Sequence, residues 1–84
     1  MKHTYTIIPF GNDANPVETM KKVNEALVNT GVFDGPGYRF DETEIDFVPE
    51  SDDSTTFREF CGSVRYFVGK ELSSRIMIME IPRA

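Results

Sequence analysis

In YRFDETEIDFV, residues 38–48, the apolar positions change parity midway, and the number of strands turns on how that change is explained. Tyr38 and Phe40 stand at even positions, Ile45 and Phe47 at odd ones. Side chains alternate across a strand with a period of two, so one regular strand cannot put both pairs on the same face. A tight turn at residues 41–44 resolves the conflict by making a hairpin; a bulge that re-aims a single long strand is the alternative. The hairpin is the favoured reading. In both versions the carboxylates of this stretch stand at a turn or an edge, where charge also blocks unwanted strand pairing.

Upstream, residues 4–10 set Tyr5 and Ile7 against Thr6 and Ile8, which suits a strand whose pairing Pro9 ends, unless Pro9 lies on an unpaired side. A helix start follows: Asn15 as N-cap, Pro16 at the first helical position and Glu18 to complete a capping box. Val17, Met20, Val23, Leu27 and Val28 fall on one arc, and Asn29, Thr30 and Gly31 end the helix. The GPG at residues 35–37 lacks the following Lys and Ser or Thr of a phosphate loop and reads as a turn.

Downstream, Thr56 and Glu59 form a second capping box ahead of a helix over residues 57–72. Its apolar stripe is Phe57, Cys61, Val64, Val68 and Leu72, with Phe60 and Phe67 on the flank. Beside it Arg58, Gly62, Arg65 and Gly69 recur at steps of four, three and four. Close approach of the first helix to the two glycines, or an anion held by the two arginines, would explain that second stripe. Residues 75–81 form a last strand. The elements add up to a single α+β domain over residues 1–84, a two-layer sandwich with two helices on one face of a three- or four-stranded, mainly antiparallel sheet. The hairpin makes the order βαββαβ, the ferredoxin-like order; the bulge makes it βαβαβ.

Residues 41–53 hold Asp41, Glu42, Glu44, Asp46, Glu50, Asp52 and Asp53, half of the fourteen carboxylates, and no Lys or Arg. Like charges so concentrated belong on a solvated or partner-facing surface. A solvated loop, a docking site for a basic surface and a divalent-cation site all fit, although the Gly of an EF-hand loop is absent. If Ile76 and Ile78 face the helices, Met77, Met79 and Ile81 are left on the other sheet face, beside either Tyr5 and Ile7 or Ile8 and Phe10. Such an apolar patch is an association surface, including one for pairing with a second copy.

A net charge of −5 disfavours direct nucleic-acid binding, which needs a local excess of Lys and Arg. The single cysteine, Cys61, cannot form an internal disulfide, and the start MKHTYTIIPF carries no signal region, so a cytoplasmic location is expected. No apolar run approaches the ~20 residues of a membrane span. His3, the only histidine, stands near a terminus expected to be frayed, and Cys61 falls on a core stripe. No catalytic residues, metal site or cofactor are therefore expected. The resulting expectation is a small, non-enzymatic protein-binding inhibitor or regulator whose seven carboxylates meet a basic surface. Concretely, this is a phage or mobile-element inhibitor of a nucleic-acid-processing complex, of anti-CRISPR or anti-restriction type. A homo-oligomeric accessory subunit joined through the sheet face, and a small-ligand or metal-binding regulator, are the alternatives.

Overall fold

The computed structural model describes residues 2–33, 35, 37–49 and 56–83, with the side chains of Lys2 and Arg83 left aside. The elements are β1 (Lys2–Pro9), α1 (Pro16–Val28), β2 (Tyr38–Asp41), β3 (Glu44–Phe47), α2 (Phe57–Ser73) and β4 (Ile76–Arg83). The strands form one antiparallel sheet in the order β2-β3-β1-β4. The hairpin is present: Asp41 pairs with Glu44 across a turn at Glu42 and Thr43, closed by a bond from the Thr43 N–H to the Asp41 carbonyl. Phe40 then lies opposite Ile45 and Tyr38 opposite Phe47, so even and odd apolar residues share a face. The parity change is the signature of that turn.

Register assigns the helix-covered face. Tyr5 and Ile7 of β1 lie opposite Phe47 and Ile45 of β3, and Ile7 lies opposite Ile78 of β4. Onto this face α1 brings Met20, Val23 and Leu27, and α2 brings Phe60, Val64 and Val68, all buried. Rings meet at the centre: Phe60 stacks on Phe47 at 5.4 Å and lies 5.0 Å from Tyr5. Phe33, from the segment after α1, enters edge-on to Phe47 and Phe60, each at 5.8 Å. Its route is set by a local turn. Thr30 Oγ1 donates to the Leu27 carbonyl and accepts from the Val32 N–H, while Gly31 takes φ 74, a conformation open to glycine.

Several helix expectations need correcting. Val17 and Val28 are exposed, so the buried arc of α1 runs through Thr19, Met20, Val23 and Leu27. Only half of its expected capping box forms: Asn15 Oδ1 accepts from the Glu18 N–H at 3.4 Å, and Asp13 supplies the other contacts. Its carboxylate accepts from the Asn15 N–H at 2.8 Å and from Thr19 Oγ1 at 2.7 Å. In α2 the reciprocal Thr56–Glu59 box is complete. Phe60 is in the core rather than on the flank, and Phe57, Cys61 and Leu72 are half-buried.

The glycine stripe of α2 has no packing role. Nothing lies within 4 Å of a Cβ built on Gly62 or Gly69, so α1 does not close on either residue. Gly69 instead breaks the helix, with φ 87 and ψ 166, a region essentially restricted to glycine. Arg65 spans the break and donates from Nη1 to the Ser73 carbonyl at 2.9 Å and to Ser73 Oγ at 2.6 Å. Its guanidinium thus serves the last turn of the helix.

Candidate interaction surface

Among the described residues, no helix covers the sheet's second face. On β1 it presents Thr4, Thr6 and Ile8; opposite them on β4 stand Ile81, Met79 and Met77. On the other side of β1, Thr6 lies opposite Asp46, which lies opposite Arg39, and Glu44 lies opposite Asp41. Two features separated in sequence therefore become one surface. Asp41, Glu44 and Asp46 occupy its β2–β3 half, and Met77, Met79 and Ile81 its β4 half, joined through Thr6. Ile8 completes the apolar half, and Arg39 sits among the carboxylates. Both become visible only when register is carried across the turn and across β1. Glu42 stands at the turn itself. Glu50, Asp52 and Asp53 lie outside the described residues.

Crowding governs the acidic half. The Glu44 carboxyl is pushed up from its ordinary value, first by a hydrogen bond shared with Asp46, then by the charges of Asp46 and Asp41, against the pull of Arg39. Asp46 is held in place: Thr6 Oγ1 donates to its Oδ1 at 2.8 Å. The apolar half is accessible, with Met77 39% and Ile81 45% exposed. Between the halves Thr4 is buried, and its hydroxyl has no hydrogen-bond partner among the described residues. The helix-covered face is fastened differently. Tyr38 donates its hydroxyl to Asn24 Oδ1 at 2.6 Å, and burial raises that phenol to about 12.

Among the described residues no group of three or more His, Cys, Asp or Glu side chains converges to hold a metal ion. Burial raises the Cys61 thiol, which opposes thiolate chemistry. His3 is not frayed: it is half-buried in β1, with Nδ1 3.1 Å from Glu80 Oε2. A shallow cleft of about 400 Å³ lies beyond the end of β1, lined by residues that include Phe10, Asp13 and Arg75. Asp13 is committed there to the start of α1, and Arg75 has Glu71 at 3.5 Å. No described helix is long and apolar enough to cross a membrane.

The molecule is thus a two-layer α+β sandwich of ferredoxin-like order with one bare, two-toned sheet face. Comparison with protein-family models, with curated proteins and with solved structures finds no match to the chain.

Proposed function

We propose that this protein is a non-enzymatic binding protein whose bare sheet face occupies a basic surface on another protein. The observation that carries this reading is the sharing of one face by Asp41, Glu44 and Asp46 with Met77, Met79 and Ile81. Apolar area supplies affinity, while a fixed set of charges steers encounter and selects a partner of opposite sign. In its concrete form the partner is a nucleic-acid-processing complex, and the carboxylates take the Lys and Arg groups that otherwise hold phosphates. An inhibitor encoded by a phage or mobile element, of anti-CRISPR or anti-restriction type, has this chemistry.

The test begins with capture from nuclease-treated bacterial lysate and identification of the retained complex. Affinity is then measured for wild type and for a variant carrying Asp41→Lys, Glu42→Lys and Glu44→Lys. Asp46 is left intact because Thr6 bonds to it. The expected result is loss of binding in the variant, a steep fall of wild-type affinity with salt, and competition by nucleic acid. An identified partner that binds wild type and variant equally removes the proposal.

A further inference from the structure

We infer that the outer edge of β4 is a self-pairing edge, so that two copies of this chain join their sheets antiparallel through β4. The backbone groups of β4 alternate in direction along the strand. One step beyond the paired residues Pro9 and Ile76, the Phe10 N–H donates to the Arg75 carbonyl at 3.2 Å, which fixes the phase of the β1–β4 ladder. Hydrogen-bonded and non-hydrogen-bonded pairs alternate along an antiparallel ladder. Carried up the register, Met77, Met79 and Ile81 turn their N–H and C=O groups toward Ile8, Thr6 and Thr4. Ile76, Ile78, Glu80 and Pro82 therefore turn theirs outward. Pro82 and Pro9 corroborate this phase, since both prolines fall on non-hydrogen-bonded pairs, where no ladder N–H is required.

Outside β4 no described strand follows. The strand is eight residues long, carries no lysine and keeps one register with β1, and Pro82 blunts only its end. Ile76 is buried at 1% exposure, so the accessible outward groups are the N–H of Ile78 and Glu80 and the carbonyls of those residues and Pro82. Long edges of this kind pair with other strands unless blunted. The opposite edge, β2, has four residues, with Arg39 and Asp41 on its bare face.

A second copy fits the β4 edge by its own symmetry. With the two-fold axis at Met79, Ile78 exchanges bonds with Glu80 of the second copy, and Glu80 with Ile78 of the second copy. On the bare face Met79 then lies opposite Met79 of the second copy, and Met77 opposite Ile81. This register centres the overlap on residues 77–81. An axis at Glu80 would oppose two carboxylates, and an axis at Ile78 would leave Pro82 beyond the partner strand.

Charge selects the same edge. Joining through β4 places the two acidic hairpins at opposite ends of an eight-stranded sheet. At ~4.8 Å per strand the two β2 strands are then on the order of 30 Å apart. That exceeds the roughly 8 Å screening length at physiological salt several-fold. Joining through β2 would instead bring Asp41, Glu44 and Asp46 of both copies together.

Sedimentation and light scattering of the full chain, from micromolar to millimolar concentration, read the mass directly. The expected result is twice the 9.6 kDa of one chain, returning to 9.6 kDa on dilution. Amide exchange locates the contact without a variant. Protection at Ile78 and Glu80 should fall with dilution, while Met77, Met79 and Ile81, bonded to β1, stay protected. Glu80→Pro removes an outward donor and no backbone bond to β1, and should yield a folded monomer, whereas Glu80→Ala, which loses the same contact with His3 but keeps the N–H, should remain a dimer. A mass of one chain at every concentration overturns the inference. So does a dimer whose Ile78 and Glu80 amides exchange freely, because the contact would then lie on the sheet face. Neither result bears on whether the Lys variants lose a heterologous partner.

Discussion

Two glycines in one helix have opposite reasons to be there. Gly62 is exposed, in helical conformation, with open space around it; there glycine costs about 1 kcal/mol relative to alanine. Gly62→Ala is expected to raise stability by about that amount in denaturant melts. Gly69 holds φ 87 and ψ 166, where a side chain costs about 1–3 kcal/mol. Gly69→Ala should therefore destabilise by that amount and loosen the Arg65–Ser73 contact. Equal effects of the two substitutions would contradict the break at Gly69. Position in a sequence stripe does not reveal this difference. At residues 62 and 69 the spacing is equally helical, and only the observed backbone separates a helical glycine from one that breaks the helix.

At the scale of elements, the two helix starts and the β2–β3 hairpin respond to pH in opposite directions. Asp13 and Glu59 are held below the usual carboxylate range by hydrogen bonds from the backbone and side chains they cap. The unfolded chain binds protons more readily at these groups. Their contribution is present above the ordinary carboxylate pKa and is lost as pH falls through the depressed values. Glu44 is raised, chiefly by its bond with Asp46. Here the folded chain binds the proton more readily, so the contribution is present below the ordinary glutamate pKa and is lost as pH rises through the raised one. Glu44→Gln is accordingly expected to raise the melting temperature at neutral pH, with the gain shrinking on acidification. Asp13→Asn should lower it at neutral pH, with the deficit closing in acid. Thermal melts across pH on the three proteins read both signs.

The element order was legible because it rests on local signals: caps at Asn15 and Thr56, helical spacing, and the parity change across residues 41–44. The edges of the buried arcs were not. Val17 and Val28 have the spacing of core residues, but burial depends on how far the sheet reaches beneath α1, which the helix's own sequence does not encode. Phe33 was missed for a related reason. It belongs to no periodic segment, and only the turn built on Thr30 and Gly31 delivers it to the core.

Across the whole molecule, Phe33 connects the segment after α1 to both β3 and α2. Truncating a buried phenylalanine removes about 3–5 kcal/mol. That is a large fraction of the roughly 5–15 kcal/mol that holds a domain together. Phe33→Ala should therefore leave a substantial unfolded population at 37 °C, visible as lost near-ultraviolet dichroism, whereas Val32→Ala at the exposed neighbour should change little. The candidate surface was readable in pieces, as an acidic run and as an apolar strand. Their fusion depends on β1 lying between β3 and β4, a pairing between distant parts of the chain that no local pattern announces.

That central place of β1 also sets the timetable of folding. Lys2 pairs with Arg83 and Pro9 with Ile76, so the earliest of the four strands gains its outer neighbour only when the latest has been made. Such long-range pairing makes folding slow relative to helical proteins of similar size. Until residues 76–83 emerge, β1 exposes a whole side of ladder groups next to Ile8 and Ile7. The nascent protein is then at its most vulnerable to misassociation, and a chaperone that binds short apolar strands has its clearest opportunity in that interval.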